Sequence, residues 1–194
     1  MLEKEIKRRL DLPLTSNKSL IITPLLSNKQ ISDSAIDLRL GNEFILFKKR
    51  SFPVLNVFNE KLRMESLKYF EIVKIDYDSE IVLHPNQLVL GSTFEYIKLP
   101  CDVISYVIGK STWGRMGLIT ATAIKVDPGF RGVITLELVN IGEVPLILKP
   151  KMKIVQITFH KTDNEVNQYS GKYMFPTGPG IPNFDNIGLS DELE

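Results

Sequence analysis

Between Gly109 and Glu137 the chain reads GKSTWGRMGLITATAIKVDPGFRGVITLE: a basic, hydroxyl-rich loop, a strand, an Asp-Pro-Gly-Phe turn, and a strand carrying one carboxylate. Lys110, Ser111, Thr112 and Arg115 set two cations, two hydroxyls and flexible backbone N–H groups into six residues, a donor set suited to an oligophosphate. On the later strand, alternation puts Val133, Thr135, Glu137 and Val139 on one face and Ile134, Leu136 and Leu138 on the other. If the first face is buried, desolvation raises the Glu137 pKa toward a range useful for moving protons. The alternative is a surface glutamate, against which a strand apolar on both faces argues. Asp127 can accept a hydrogen bond from a sugar hydroxyl while the Phe130 ring excludes an extra one; taken alone, Asp127-Pro128-Gly129-Phe130 is turn chemistry.

Each of these residues has a plainer reading. The Gly109–Thr112 loop, in isolation, is a strand-to-helix connection with Ser111 or Thr112 as N-cap. It is not a P-loop, because Ile104 stands where the first glycine is needed. Trp113 reads as a packing residue, and His84 and His160 as structural or exposed positions at strand edges.

Composition removes whole classes of mechanism. Cys101 is the single cysteine and His84 and His160 the two histidines, so the chain cannot assemble the His and Cys ligand set of a zinc-dependent nucleobase deaminase. No intrachain disulfide is available either, which fits a reducing compartment. A net charge of +1 gives no global field for nucleic acid, so any anion site must be local. With 43% hydrophobic residues in 194 and no apolar run near the roughly 18 residues of a membrane span, the expectation is one soluble domain. Met1–Leu10 lacks the apolar centre of a signal peptide, and a cytoplasmic location is expected.

The elements that must position these residues are mostly strands. Leu2, Ile6 and Leu10 recur at helical spacing and predict a short N-terminal helix. After it, Ile36–Leu40, Phe44–Phe47, Glu80–Leu83, Leu88–Leu90, Thr93–Leu99, Val103–Ile108, Gly117–Val126, Val133–Val139, Leu146–Leu148 and Ile154–His160 read as strands separated by Gly and Pro turns. Many short strands predict a mainly all-β, distorted barrel or jelly-roll-like domain over residues 1–162. Lys48–Lys68 is the least regular stretch and reads as a surface excursion. Residues 163–194 are polar and rich in Gly and Pro, and are expected to carry no core. They are either a loose end or a lid bringing Tyr169, Lys172 and Tyr173 over a ligand.

SAIDLRLGNEF, VLHPNQLVLGSTFEYIKLP, GKSTWGR, TAIKVDPGFRGVITLELVN and YSGKY followed by Gly-Pro occur in that order, and together they resemble the dCTP deaminase family of the dUTPase-like superfamily. The resemblance implies a dUTPase-type β fold, a homotrimer with active sites shared between subunits, and a deoxynucleoside triphosphate carrying Mg²⁺, with no metal ligand from protein side chains and no zinc. Water would attack C4 of cytosine. Glu137 would be the general base, Ser111 and the Ala123 carbonyl would position the water, and Arg115 would stabilise developing charge. The Lys110–Arg115 run, Trp113 and Gly114 included, would line the phosphate path. Asp127 and Phe130 would hold the deoxyribose, Thr135, Leu136 and Glu137 would read the base, and Gln156, Tyr169 and Lys172 would close over the nucleotide. Neither a nucleic acid nor a membrane is implied.

The chain departs from that pattern between Gly117 and Thr122, which is one residue shorter and lacks a histidine, and at Phe175-Pro176, where a glutamine is expected. Three activities stay open: deamination of dCTP to dUTP, a bifunctional or dUTPase activity ending at dUMP, and deoxynucleotide binding without turnover. Ile124, where bifunctional relatives tend to have Gly after Thr-Ala, favours the first. The altered tail permits the third.

Overall fold

The computed structural model describes residues 1–48, 67–120, 125–171 and 173–183. Helix α1 (Glu3–Leu10) precedes the strands β1 (Ile21–Thr23), β2 (Ala35–Arg39), β3 (Glu43–Phe47), β4 (Phe70–Lys74), β5 (Ile81–Leu83), β6 (Leu88–Ser92), β7 (Tyr96–Lys98) and β8 (Val103–Gly109). A one-turn helix α2 (Ser111–Gly114) follows, then β9 (Leu118–Thr120), β10 (Lys125–Val126), β11 (Arg131–Gly132), β12 (Thr135–Asn140), β13 (Leu146–Leu148) and β14 (Lys153–Lys161). Four antiparallel sheets result, in the orders β1-β7-β11, β10-β8-β14-β2, β4-β3-β6-β12-β9 and β13-β5. Among the described residues they form no closed barrel, and the arrangement is jelly-roll-like.

Alternation decides which side chains meet. In β8 and β14 the register sets Val107 against Ile157 and Ser105 against Phe159, all four buried, while Tyr106 and Thr158 face outward. Val107, Ile157 and Phe159 join Leu38, Phe44, Ile97, Leu136 and Leu138 in one apolar core. Helix α1 forms where the spacing places it. Its inward face, however, is Ile6 and Arg9, and Leu2 is 71% exposed. Arg9 is buried because Asp102 accepts two 2.7 Å hydrogen bonds from its guanidinium, a pair that fixes how the helix docks. A second buried network centres on Glu95, which accepts from the Arg39 backbone N–H and Nε and from Gln30 Nε2.

The strand expected over Val133–Val139 is observed as β12, which starts two residues later at Thr135 and runs to Asn140, while Arg131–Gly132 ahead of it form the separate β11. Gly132, at φ +147°, lets the chain leave the sheet of β7 and enter that of β6 and β9, so β11 and β12 belong to different sheets. The strand expected over Gly117–Val126 is described as β9 and β10, with residues 121–124 outside the described set. The excursion expected over Lys48–Lys68 also falls almost wholly outside it.

Beyond β14 the described residues contain no further strand or helix, yet the chain is tied back at residues 169, 175, 176 and 180. Tyr169 N–H donates to Pro128 O, Phe175 N–H to Arg131 O, and Gly180 N–H to the Thr135 hydroxyl, while Pro176 O accepts from Val133 N–H. Tyr169 packs on the core, so this segment contributes more than its composition suggests.

Candidate active site

A cavity of about 670 Å³ opens between the outward faces of β6 and β12, the turn after β10, and the C-terminal segment. Glu137 lies on its wall. The register sets Glu137 opposite Leu90 and Val139 opposite Leu88, and all four line the cavity. Leu136 and Leu138, of opposite parity, are fully buried in the core. The carboxyl therefore stands half-buried among aliphatic groups, and burial alone pushes its pKa up from the ordinary glutamate value.

Thr135, Asp127, Phe130 and Tyr169 line the same cavity. The turn that carries two of them is shaped by Gly129, whose φ of +78° suits the third position of a type II turn after Pro128; Phe130 N–H closes it onto Asp127 O at 3.1 Å. Asp127 pairs with Lys125 at 2.7 Å, also on the cavity wall. The Phe130 and Tyr169 rings stand 6.3 Å apart at 47°, so one wall is aromatic. The tail adds Tyr173, Pro176, Gly180 and Ile181.

Helix α2 contributes nothing to this cavity within one chain. Ser111, Thr112, Gly114 and Arg115 are exposed beside β9, and none of them lines it. The N-cap of α2 is Lys110, with no side-chain cap, so neither Ser111 nor Thr112 is spent on capping. Lys110 Nζ donates to Asp37 Oδ1 at 2.6 Å, and Lys153 pairs with the other oxygen of Asp37 at 3.0 Å. Burial alone would raise the Asp37 pKa, but the two ammonium groups outweigh it and hold it below the ordinary value. Trp113 packs on the core and donates from Nε1 to Lys153 O at 2.8 Å, as a packing residue should.

The remaining candidates scatter. Gln156, half-buried on β14 opposite Asp37 and Ile108, does not line the cavity of its own chain, and Leu136 can offer a ligand only its backbone. Ala123 and Lys172 lie outside the described residues. Sequence reasoning missed Leu88 and Leu90, whose alternation is legible but whose place opposite Glu137 needs the register. It also missed Asp37 as the partner of Lys110.

Among the described residues no group of three or more His, Cys, Asp or Glu side chains could hold a metal ion, and no helix is long and apolar enough to cross a membrane. A Mg²⁺ ion carried on a triphosphate requires no such cage, since it takes much of its coordination from phosphate and water.

Residues 3–162 match the family model described as dCTP deaminase-like. The chain is 36% identical over 186 residues to a "dCTP deaminase, dUMP-forming" of Methanosphaera stadtmanae, covering 92% of this chain and 90% of that one. It is 42% identical over 161 residues to a protein of the same description from Dictyoglomus turgidum, covering 82% and 78%. A "dCTP deaminase" of Natronomonas pharaonis is 36% identical over 184 residues, covering 91% and 90%. The crystal structure of 2'-deoxycytidine 5'-triphosphate deaminase from Agrobacterium tumefaciens shares the fold with a TM-score of 0.60 at 20% identity, over 83% of this chain. The chain spans about half the length of that solved protein, 48%.

Proposed function

The chain belongs to the dCTP deaminase-like family, and we propose that it hydrolyses dCTP to dUTP and ammonia. The observation that carries this reading is the Glu137 carboxyl, half-buried among aliphatic side chains on a cavity that also holds Thr135, Asp127, Phe130 and Tyr169. A carboxylate with a raised pKa is a better proton acceptor than an ordinary one. Glu137 takes a proton from water as its oxygen bonds to C4 of cytosine and passes that proton to the ring. The remaining proton of the new C4 hydroxyl is then passed, by the same carboxyl, to the amino nitrogen as the C4–N bond breaks, leaving a C4 carbonyl and ammonia. Asp127 and Phe130 suit the deoxyribose, and the backbone of Thr135–Glu137 suits the base.

The phosphate and water-positioning groups, Lys110, Ser111, Thr112, Arg115 and the Ala123 carbonyl, are assigned to an adjacent subunit of a homotrimer. Supporting this are the exposure of Ser111, Thr112 and Arg115 and their absence from the cavity of their own chain. Mg²⁺, when bound, neutralises triphosphate charge and arrives with the nucleotide. Tyr169 and the segment after it form the lid over residues 1–162, with Lys172 and Gln156 as additional closing groups. A single cysteine and a free nucleotide substrate fit a cytoplasmic enzyme.

A second reading, that dUTP is carried on to dUMP, is favoured by the names of the Methanosphaera and Dictyoglomus relatives. Ile124 after Thr122-Ala123 weighs the other way. Incubation with dCTP, dUTP, CTP and dATP in Mg²⁺, followed by chromatography, separates the readings. Formation of dUTP and ammonia from dCTP supports the first, dUMP with pyrophosphate establishes the second, and no turnover of dCTP rejects both.

A further inference from the structure

A second, smaller cavity, which Glu137 does not line, lies beside the tail residues Glu165 and Gln168. Its volume is about 220 Å³, and Asn17, Lys98, Arg131, Glu165 and Gln168 contribute its polar side chains. Two cations meet there. Lys98 on β7 and Arg131 on β11 are direct cross-strand partners, so their side chains leave the same face of the sheet side by side. Like charges so placed repel unless an anion lies between them.

No protein anion does so among the described residues. Lys98 Nζ donates only to neutral oxygens, Ser19 Oγ at 2.9 Å, Leu14 O at 3.3 Å and Ser16 O at 3.4 Å. Arg131 Nε is buried with no hydrogen-bond partner. A guanidinium donor stripped of water and left unpaired is costly, and native structures seldom keep one without a use. Burial, and then the charge of Arg131, lowers the pKa of Lys98. Glu165 also lines the cavity and pairs with neither cation.

We propose that this cavity binds a small oxyanion of the phosphate class, held between Arg131 and Lys98. The volume suits a single phosphoryl group. The donors are of the right kind: the Arg131 fork takes two oxygens of a tetrahedral anion, Lys98 supplies a point charge, and the side-chain amides of Asn17 and Gln168 complete the rim. The site touches the tail directly. Gln168 precedes Tyr169, which lines the Glu137 cavity, and Arg131 O accepts from Phe175 N–H. An anion here therefore ties Gln168, and with it the approach to Tyr169, to the sheet of β7 and β11 without entering the larger cavity.

Two readouts independent of catalysis test this. In thermal unfolding with inorganic phosphate, matched for ionic strength with chloride, Tm should rise by about 3 to 5 °C for each tenfold increase in phosphate above its Kd. Hydrogen exchange at Tyr169 and Phe175 should slow in parallel. Arg131→Gln and Lys98→Gln should each abolish both responses, whereas Glu165→Gln should keep or strengthen them. Arg131→Lys, which keeps the charge without the fork, should weaken binding by about tenfold or more. The proposal is overturned if phosphate does no more than chloride, or if the response survives in the Arg131→Gln, Lys98→Gln double variant. A phosphate-insensitive parent whose Glu165→Gln variant responds would show that Glu165 itself is the occupant, and would equally overturn it.

Discussion

Gly132→Ala offers the sharpest test of how the tail is held. At φ +147° only glycine is comfortable, and a Cβ there would collide with Pro176 Cδ and stand 2.7 Å from Cγ. The backbone strain alone costs about 1–3 kcal/mol. Relief of the collision requires Pro176 to move, which breaks the bonds Val133 N–H to Pro176 O, Phe175 N–H to Arg131 O and Gly180 N–H to Thr135 Oγ1. At about 0.5–1.5 kcal/mol each, the three are worth roughly 1.5–4.5 kcal/mol of docking, so tail opening should become about 10- to 10³-fold more frequent. Hydrogen exchange at Val133, Phe175 and Gly180 reads this directly, with core amides of β8 and β14 as internal references. A second variant, Gly132→Ala with Pro176→Gly, removes the collision and leaves the strain, and should recover part of the protection. Unchanged exchange at all three amides in Gly132→Ala would refute the reasoning.

Three further outcomes follow from the charges. Arg9→Met leaves Asp102 buried without its partner and should cost about 3–5 kcal/mol in denaturant unfolding, with Arg9→Met, Asp102→Leu recovering much of the loss. Because the hydrogen bonds from Arg9 hold the Asp102 pKa below its unfolded value, the pair's contribution is present above that unfolded pKa and disappears as pH falls through the folded one; a pH series of Tm should show this slope, absent in Asp102→Asn. Glu137 has the opposite sign: its folded pKa is raised, so stability falls as pH rises from the unfolded to the folded value. Glu137→Gln should therefore be more stable than the parent above that window and lose the slope within it.

What could be read in the sequence was local. Period-2 alternation around Glu137 found the strand, its two faces and the carboxylate on the outward one, because side-chain parity in a strand needs no knowledge of its neighbours. Asp127-Pro128-Gly129 announced its turn because Gly129 needs a positive φ. Tertiary placement was not legible. Arg9 and Asp102 lie 93 residues apart, and nothing in the α1 pattern marks Arg9 as the inward residue. The change of sheet at Gly132, just ahead of β12, depends on β7 pairing with Arg131 and Gly132. The separation of α2 from the Glu137 cavity is a matter of how β9 lies beside β12, which spacing along the chain cannot express. The docking of the tail was not legible, because Pro- and Gly-rich sequence has no period from which to infer which residue, here Tyr169, packs against the core.

The central claim is that Glu137 moves the proton that makes water a nucleophile. Its most direct test is the rate of dUTP formation from dCTP in single turnover by the parent and by Glu137→Gln, with nucleotide binding measured alongside. The account predicts that the variant binds dCTP but forms product about 10²- to 10⁴-fold more slowly, the usual contribution of a positioned general base. Comparable rates in the two proteins, with binding intact, would contradict it.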